Sequence, residues 1–152
     1  MKKISLLGFD YSPGYCDMRG AAHSMSLKKE ENRWVMICRD REYYNAPTTV
    51  AVYAVSSEAV AEFEDFIVKN RILSLEKRPK SRAFVTDYSP WRYSVDYEKT
   101  ALGKTATEYC SIGQYKVYSA LDRLKLEKLR ERFLALRGEK LSETVEEHGK
   151  EE

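Results

Sequence analysis

Hydrophobic side chains in this chain follow two different periods, and the change between them falls at residues 55–56. Before it, "AAHSMSLKK" (21–29) and "WVMICRDR" (34–41) alternate along their length and are joined by the polar "EENR". Alternation with period two is typical of half-buried strands, so this pair predicts an antiparallel hairpin. "KISLLGFDY" (3–11) and the β-branched "TTVAVYAV" (48–55) predict two more strands, the second of them the most buried.

After the change, apolar residues recur at steps of three and four, which predicts a helix beginning at Ser56 or Ser57. A second and stronger helical pattern runs over 119–137. Asp122 lies three residues after Ser119, close to a capping box, and Gly138 follows where a helix C-cap is expected. The two helical segments together predict one helix between two groups of strands and one near the end of the chain.

A second group of strands is expected between the helices. "RAFVTDY" (82–88) and "WRYSVDYEK" (91–99) predict a pair joined through Ser-Pro, and "TEYCSIGQY" (107–115) predicts one more strand. A single helix between two strand groups does not supply the repeated βα alternation that a parallel sheet needs. We therefore predict an α+β fold, with a curved antiparallel sheet of five to seven strands and two helices packed on one face. Residues 1–138 are expected to form a single domain.

The net charge of +2 conceals an asymmetry between the body of the chain and its C-terminal segment. Residues 139–152 hold six acidic and two basic residues, which leaves 24 Lys and Arg against 18 Asp and Glu in residues 1–138. A charge-rich segment with little to bury is typical of disorder. Residues 139–152 are therefore predicted to be an acidic, disordered tail, and the body carries a charge of +6.

The sequence favours a cytoplasmic protein. The apolar stretch near the start, residues 4–9, is too short for a signal-peptide core or a membrane span. Three widely spaced cysteines, Cys16, Cys38 and Cys110, are typical of reduced thiols rather than of a disulfide framework. In general character the chain resembles small proteins of bacterial genomes and their mobile elements, and this resemblance implies no residue roles.

The four letters "DYSP" occur twice, at 10–13 and at 87–90. In each copy an apolar and aromatic segment reaches Asp-Tyr, and the proline then favours a turn. Because the flanking residues do not align, we interpret the copies as two similar turns. The alternative is a pair of loops on one edge that present Tyr11, Tyr15, Tyr88 and Trp91 to a partner.

The sequence contains no organised catalytic constellation, and we expect binding rather than catalysis. His23 is the only histidine of the body, and a small enzyme with a pocket around His23, assisted by Cys16 or a carboxylate, is the third of our functional hypotheses. The cysteines lack the close pairing of structural zinc sites, so no metal is predicted. "ALGKTATE" lacks the upstream glycine of a phosphate-binding loop, and no cofactor is predicted.

Nucleic-acid binding is the second hypothesis. It rests on two clusters of basic residues, one in the loop "LEKRPKSR" (75–82) and one beside aromatic residues in "CRDREYY" (38–44). Basic residues next to aromatic ones suit phosphate contact and base stacking on single strands. The candidate residues are Lys77, Arg78, Lys80 and Arg82 in the first cluster, and Arg39, Arg41, Tyr43 and Tyr44 in the second.

The leading hypothesis is a non-catalytic protein-interaction module. The chain has eleven tyrosines and two tryptophans, and interfaces favour Tyr, Trp and Arg for their large contact areas and polar tips. The apolar residues of the last helix also spread more widely than one stripe, so that one edge is free to contact a second copy. The expected partner is another protein or a homodimer, with no membrane contact.

Overall fold

The computed structural model describes residues 3–14, 21–81 and 91–147. Four strands come first: β1 (Lys3–Ser12), β2 (Ala22–Glu30), β3 (Arg33–Arg41) and β4 (Thr48–Val55). Helix α1 (Ser57–Lys69) and a 3-10 helix (Ile72–Lys77) follow. Strands β5 (Arg92–Ala101) and β6 (Lys104–Gly113), helix α2 (Ala120–Leu134) and strand β7 (Lys140–Glu146) complete the order.

All seven strands form one antiparallel sheet, in the order β6-β5-β1-β2-β3-β4-β7. Two hairpins with two-residue loops set its register. Glu31 and Asn32 between β2 and β3 have positive φ, as do Leu102 and Gly103 between β5 and β6. Positive φ at both positions matches the twist of the flanking strands, which is why such loops are favoured in hairpins. The predicted α+β class and antiparallel sheet are confirmed.

Helix α1 begins where its capping residue predicts. The Ser56 hydroxyl accepts a hydrogen bond from the Ala59 N–H at 3.0 Å, and the buried side chains of the helix are Val60, Phe63, Phe66 and Ile67. Glu64 lies at the edge of this face, and its carboxylate accepts the N–H of Leu6 at 2.8 Å. The register of β1 and β5 shifts between Leu6 and Gly8, so this bond satisfies a backbone donor at an irregular point of the strand.

Helix α2 is fixed at its start by a complete capping box. The Ser119 hydroxyl accepts the Asp122 N–H at 3.0 Å, and the Asp122 carboxylate accepts the Ser119 N–H at 3.1 Å. The prediction for Gly138 is wrong, because the helix ends at a cap on Ala135. Gly138 lies beside β4, where its N–H donates to the Ala54 carbonyl at 2.8 Å and an added Cβ would stand 2.7 Å from the same oxygen.

The main core lies between the sheet and the helices, and Phe9 of β1 is its centre. The Phe9 ring lies 5.0 Å from that of Phe63 of α1 and 4.8 Å from that of Phe133 of α2. One strand residue thus joins both helices to the same face of the sheet, as predicted. A smaller cluster, formed by Val35, Ile37 and Val50, belongs to the other face of β3 and β4. We call that other face, which lies opposite the two helices, the open face.

Three expectations need correction. Residues 140–146 are not disordered, because β7 pairs with β4 from Thr48 to Tyr53, and its backbone hydrogen bonds satisfy an edge of β4 that would otherwise be unpaired. Residues 82–88 of the predicted second strand pair lie outside the described residues, and both edges of β5 are taken by β1 and β6. The most buried strand is β3, with five successive buried residues, because β4 borders the exposed β7.

The first "DYSP" copy ends a strand as predicted. β1 ends at Ser12, Pro13 follows, and Gly14 has a positive φ of 75°. The second copy lies outside the described residues. Within residues 3–14, 21–81 and 91–147, no helix combines the length and the apolar character that a membrane crossing requires.

Candidate functional site

The basic loop predicted from "LEKRPKSR" is held against the body of the protein. The Ser81 N–H donates to the Tyr115 carbonyl, and the Val117 N–H donates to the Pro79 carbonyl, each at 2.8 Å. Arg78 donates to both carboxylate oxygens of Asp122, at 2.8 and 3.1 Å. Arg78 therefore fastens the loop to the start of α2, and its charge is already matched by an acid.

The other loop residues are less constrained. Lys77 ends the 3-10 helix and is exposed, and Lys80 forms an isolated bridge with Lys116. Arg82 and Tyr88 lie outside the described residues.

The predicted Arg–Tyr cluster is divided between a strand and a loop. Arg39 lies on β3, Arg41 ends that strand, and Tyr43 and Tyr44 are exposed in the loop that follows. Trp91 directly precedes β5, at the same end of the sheet. Because β1 and β2 lie between β5 and β3, about 14 Å separates the backbones of the two strands. The structure does not bring Trp91 together with Tyr43 and Tyr44.

His23 has a carboxylate partner but lacks the enclosure of a reactive centre. Its Nδ1 lies 2.7 Å from Oδ1 of Asp40, directly across the β2–β3 ladder, and the two side chains are 39% and 56% exposed. The Ser12 hydroxyl donates to the His23 carbonyl oxygen at 3.5 Å and not to the ring. Cys16 lies outside the described residues. Among the described residues, no hydroxyl or thiol is hydrogen-bonded to the His23 ring, so these residues alone offer no acyl-transfer geometry.

A cavity of about 480 Å³ opens where β1 ends and β5 begins, beneath helix α2. We call it the aromatic pocket, because Tyr11, Tyr93, Trp91 and Tyr118 line it. Tyr11 and Tyr93 lie stacked at 4.7 Å with an interplanar angle of 12°. Trp91 meets Tyr93 edge-on at 5.7 Å and stacks on Tyr118 at 6.0 Å. Tyr11, Tyr93 and Tyr118 are buried, whereas Trp91 is half-buried and offers ring surface to the cavity.

The backbone fixes each of these rings. Tyr11 and Tyr93 are direct partners in the β1–β5 register, so their side chains lie on the same face. Trp91 continues the β5–β6 ladder beyond its last pair, because the Gln114 N–H donates to the Trp91 carbonyl and the Trp91 N–H donates to Oε1 of Gln114, each at 3.2 Å. The Tyr118 hydroxyl donates to the carbonyl of Gly113 at the end of β6. The pocket is therefore largely preformed.

The rim of the aromatic pocket is basic. Arg123, Glu127 and Arg130 project from α2 at steps of four and three residues, which places them on one helical face, and Lys116 adds a third cation. Among the described residues, neither arginine has an ion pair with a carboxylate. Three cations against one acid leave the rim with a formal charge of +2.

Two tyrosines of the pocket, Tyr93 and Tyr118, stay neutral at physiological pH. Burial raises the pKa of Tyr93 well above its usual range. Burial, together with the charge of Asp122, raises the pKa of Tyr118 to about 12. The pocket thus presents uncharged rings below a positively charged rim, which is an environment for a flat ligand that carries negative charge.

Sequence reasoning singled out Tyr11 and Trp91 but missed the rest of this site. Tyr118 lies in a loop without regular pattern, and Lys116 lies in the same segment. The signal that was present is the spacing of Arg123, Glu127 and Arg130, which predicts one charged face on the helix. No group of three or more His, Cys, Asp and Glu side chains suited to a metal ion is found in the part of the chain that the structure describes.

Comparisons of the chain with models of protein families, with curated proteins and with solved structures gave no significant match.

Proposed function

We propose that this chain is a non-catalytic binding protein whose aromatic pocket accepts one nucleotide unit. In this arrangement the base stacks on Trp91, and the phosphate faces Arg123 and Arg130. The single observation that carries the proposal is the half-buried Trp91 ring at the mouth of a preformed cavity with a basic rim. This proposal keeps the nucleic-acid hypothesis but places the binding site at the aromatic pocket instead of at the two basic clusters predicted from the sequence.

The size of the cavity supports a small ligand or one residue of a larger one. Pockets for small molecules typically enclose about 300–1,000 Å³ and combine apolar walls with a few polar groups. The aromatic pocket, at about 480 Å³, lies within this range. A nucleotide supplies both features that the walls favour, because every base has a flat π-face and every phosphate a negative charge.

Two sources of this ligand are compatible with the same chemistry, namely a free mononucleotide and a nucleotide within a single strand. Fluorescence anisotropy of a labelled twelve-residue oligo(dT) and calorimetry with thymidine monophosphate separate them. We expect the strand to bind more tightly and with an affinity that falls as salt rises, because each phosphate contact releases counterions. Equal affinity for both ligands assigns the pocket to free nucleotides instead.

Substitutions at the pocket test the assignment of residues. Loss of one stacked base costs about 1–3 kcal/mol, so Trp91→Ala is expected to weaken oligo(dT) binding by about 5- to 150-fold, whereas Trp91→Phe keeps most of it. Arg130→Gln is expected to weaken binding and to reduce the salt slope by about 0.7. Lys128→Gln removes the same charge from the other side of α2 and serves as the matched control. Absence of binding at millimolar ligand, or wild-type affinity in Trp91→Ala, refutes the proposal.

The protein-interaction hypothesis stays a prediction, as does the cytoplasmic location. The exposed side chains Leu121 and Leu124, on the outer side of α2, are where the predicted self-association would be sought. Sedimentation velocity over a hundredfold range of concentration tests it, since a homodimer gives a mass that rises with concentration.

A further inference from the structure

A row of four polar side chains crosses the open face of the sheet near the end of β1. The register pairs Arg92 of β5 with Ser12 of β1, and Ser24 of β2 with Arg39 of β3. The β1–β2 pairing of Tyr11 with Met25 places Ser12 opposite Ser24 one residue further along. The order across the sheet is therefore Arg92, Ser12, Ser24, Arg39, and we call it the Arg–Ser row. It lines a cavity of about 320 Å³.

The neighbouring row along the same face is satisfied internally. The Ser26 hydroxyl donates to the Asp10 carboxylate, and the Tyr109 hydroxyl donates to the Ser94 hydroxyl at 3.2 Å. The Asp10 carboxylate therefore already accepts a hydrogen bond from within the sheet. This leaves the Arg–Ser row as the part of the cavity that presents donors to a ligand.

Within the described residues, neither Arg39 nor Arg92 forms an ion pair with a carboxylate. Arg39 and Arg92 are both exposed, and the bond from the Ser12 hydroxyl to the His23 carbonyl, at 3.5 Å, is near the outer limit for an O–H donor. The Ser12 hydroxyl can therefore turn toward a ligand at little cost. The row holds two unneutralised guanidinium groups and two hydroxyls.

The spacing of the strands allows both arginines to reach one ligand. Three strand spacings separate the Arg39 and Arg92 backbones by about 14 Å. An extended arginine carries its guanidinium roughly 6–7 Å from its Cα, so the two groups can meet above Ser12 and Ser24. Donors that approach from two opposite sides suit an anion with oxygens on several sides, whereas a planar carboxylate is satisfied by a single bidentate arginine.

We propose that the Arg–Ser row is a binding site for a tetrahedral oxyanion of the phosphate type, held between Arg39 and Arg92 and contacted by the two serine hydroxyls. The site is independent of the aromatic pocket. Trp91 and Arg92 are consecutive residues whose side chains project to opposite faces of the sheet. The proposal therefore stands or falls separately from the proposed function.

The test is titration of the ¹⁵N-labelled full chain with inorganic phosphate, followed by NMR at constant ionic strength, with chloride as the balancing anion. We expect saturable shifts at Ser12 and Ser24. Arg39→Gln is expected to weaken phosphate binding by about tenfold or more, since a hydrogen bond to a charged group contributes about 1.5–3 kcal/mol. Arg33→Gln removes the same charge at the opposite end of β3 and is the matched control.

Two further variants keep the result interpretable. Arg39→Lys retains the charge without the planar fork, and we expect an affinity between those of wild type and Arg39→Gln. Trp91→Ala leaves phosphate binding at the row unchanged, whatever it does to nucleotide binding. Shifts spread evenly over all basic residues, or equal loss of affinity in Arg39→Gln and Arg33→Gln, overturn the proposal.

Discussion

The ion pair between Asp122 and Arg78 makes a specific prediction about stability and pH. The Asp122 side chain is only 5% exposed, caps α2 and receives both guanidinium bonds of Arg78. These bonds hold the pKa of Asp122 at about 2, against an ordinary value of 3.8. A carboxylate of lowered pKa stabilises the folded state at every pH above its unfolded value, and the contribution is lost as the pH falls toward the folded value.

The size of the effect follows from the pKa difference. One pKa unit corresponds to about 1.4 kcal/mol, so the lowering amounts to about 2.5 kcal/mol before solvent screening. Since the Arg78 side chain is 38% exposed, screening reduces this figure, and we expect Asp122→Asn to lower the free energy of unfolding by about 1–2 kcal/mol at pH 7. Asparagine keeps an oxygen for the Ser119 N–H, so the substitution removes mainly the charge.

Urea denaturation of wild type and Asp122→Asn between pH 7 and pH 3 measures this difference. It is expected to be constant above pH 5 and to fall by about half at pH 3, where the unfolded chain binds the proton more readily than the folded one. Glu131→Gln, an acid on the exposed side of the same helix, is the control and should change stability by less than about 0.5 kcal/mol at any pH. A difference between wild type and Asp122→Asn that does not depend on pH refutes the reasoning.

Two other predictions concern packing. Gly138→Ala is expected to lower the free energy of unfolding by about 1–3 kcal/mol, because its Cβ would stand 2.7 Å from the Ala54 carbonyl oxygen. Gly113→Ala is the near-neutral control, because nothing lies within 4 Å of its added Cβ. Denaturant titration of both variants measures the difference. Burial raises the pKa of the Cys38 thiol, and raises that of Cys110 to about 12, so both are expected to resist alkylation at pH 8 until the protein is denatured. Peptide mass mapping after iodoacetamide treatment measures this, and rapid labelling of Cys110 in the folded protein contradicts it.

Local chemistry made the helices and the first hairpin predictable. Ser56 caps α1, Ser119 and Asp122 cap α2, and the loop at Glu31 and Asn32 is visible as a polar interruption of the alternation. Each of these signals involves residues within four positions of one another. The same is true of the alternation that predicted β2 and β3.

Contacts between distant residues were not predictable in the same way. β7 was missed because its charge suggested disorder, and the strand is ordered by pairing with β4, which lies about 90 residues earlier in the chain. The aromatic pocket joins Trp91 to Tyr118 and to α2, which lie about 25 residues or more further along the chain. The ion pair of Arg78 was not predictable either, since no residue near Arg78 in the sequence indicates that it pairs with Asp122.

The position of β7 has a consequence for how the chain is made. Until residue 140 leaves the ribosome, the outer side of β4 has no neighbour, and that strand, "TTVAVYAV", carries no charge to deter another chain from pairing with it. At ordinary rates of synthesis the delay is on the order of ten seconds. A nascent chain is thus open to association during this interval, and the later pairing of β7 with β4 covers this uncharged edge.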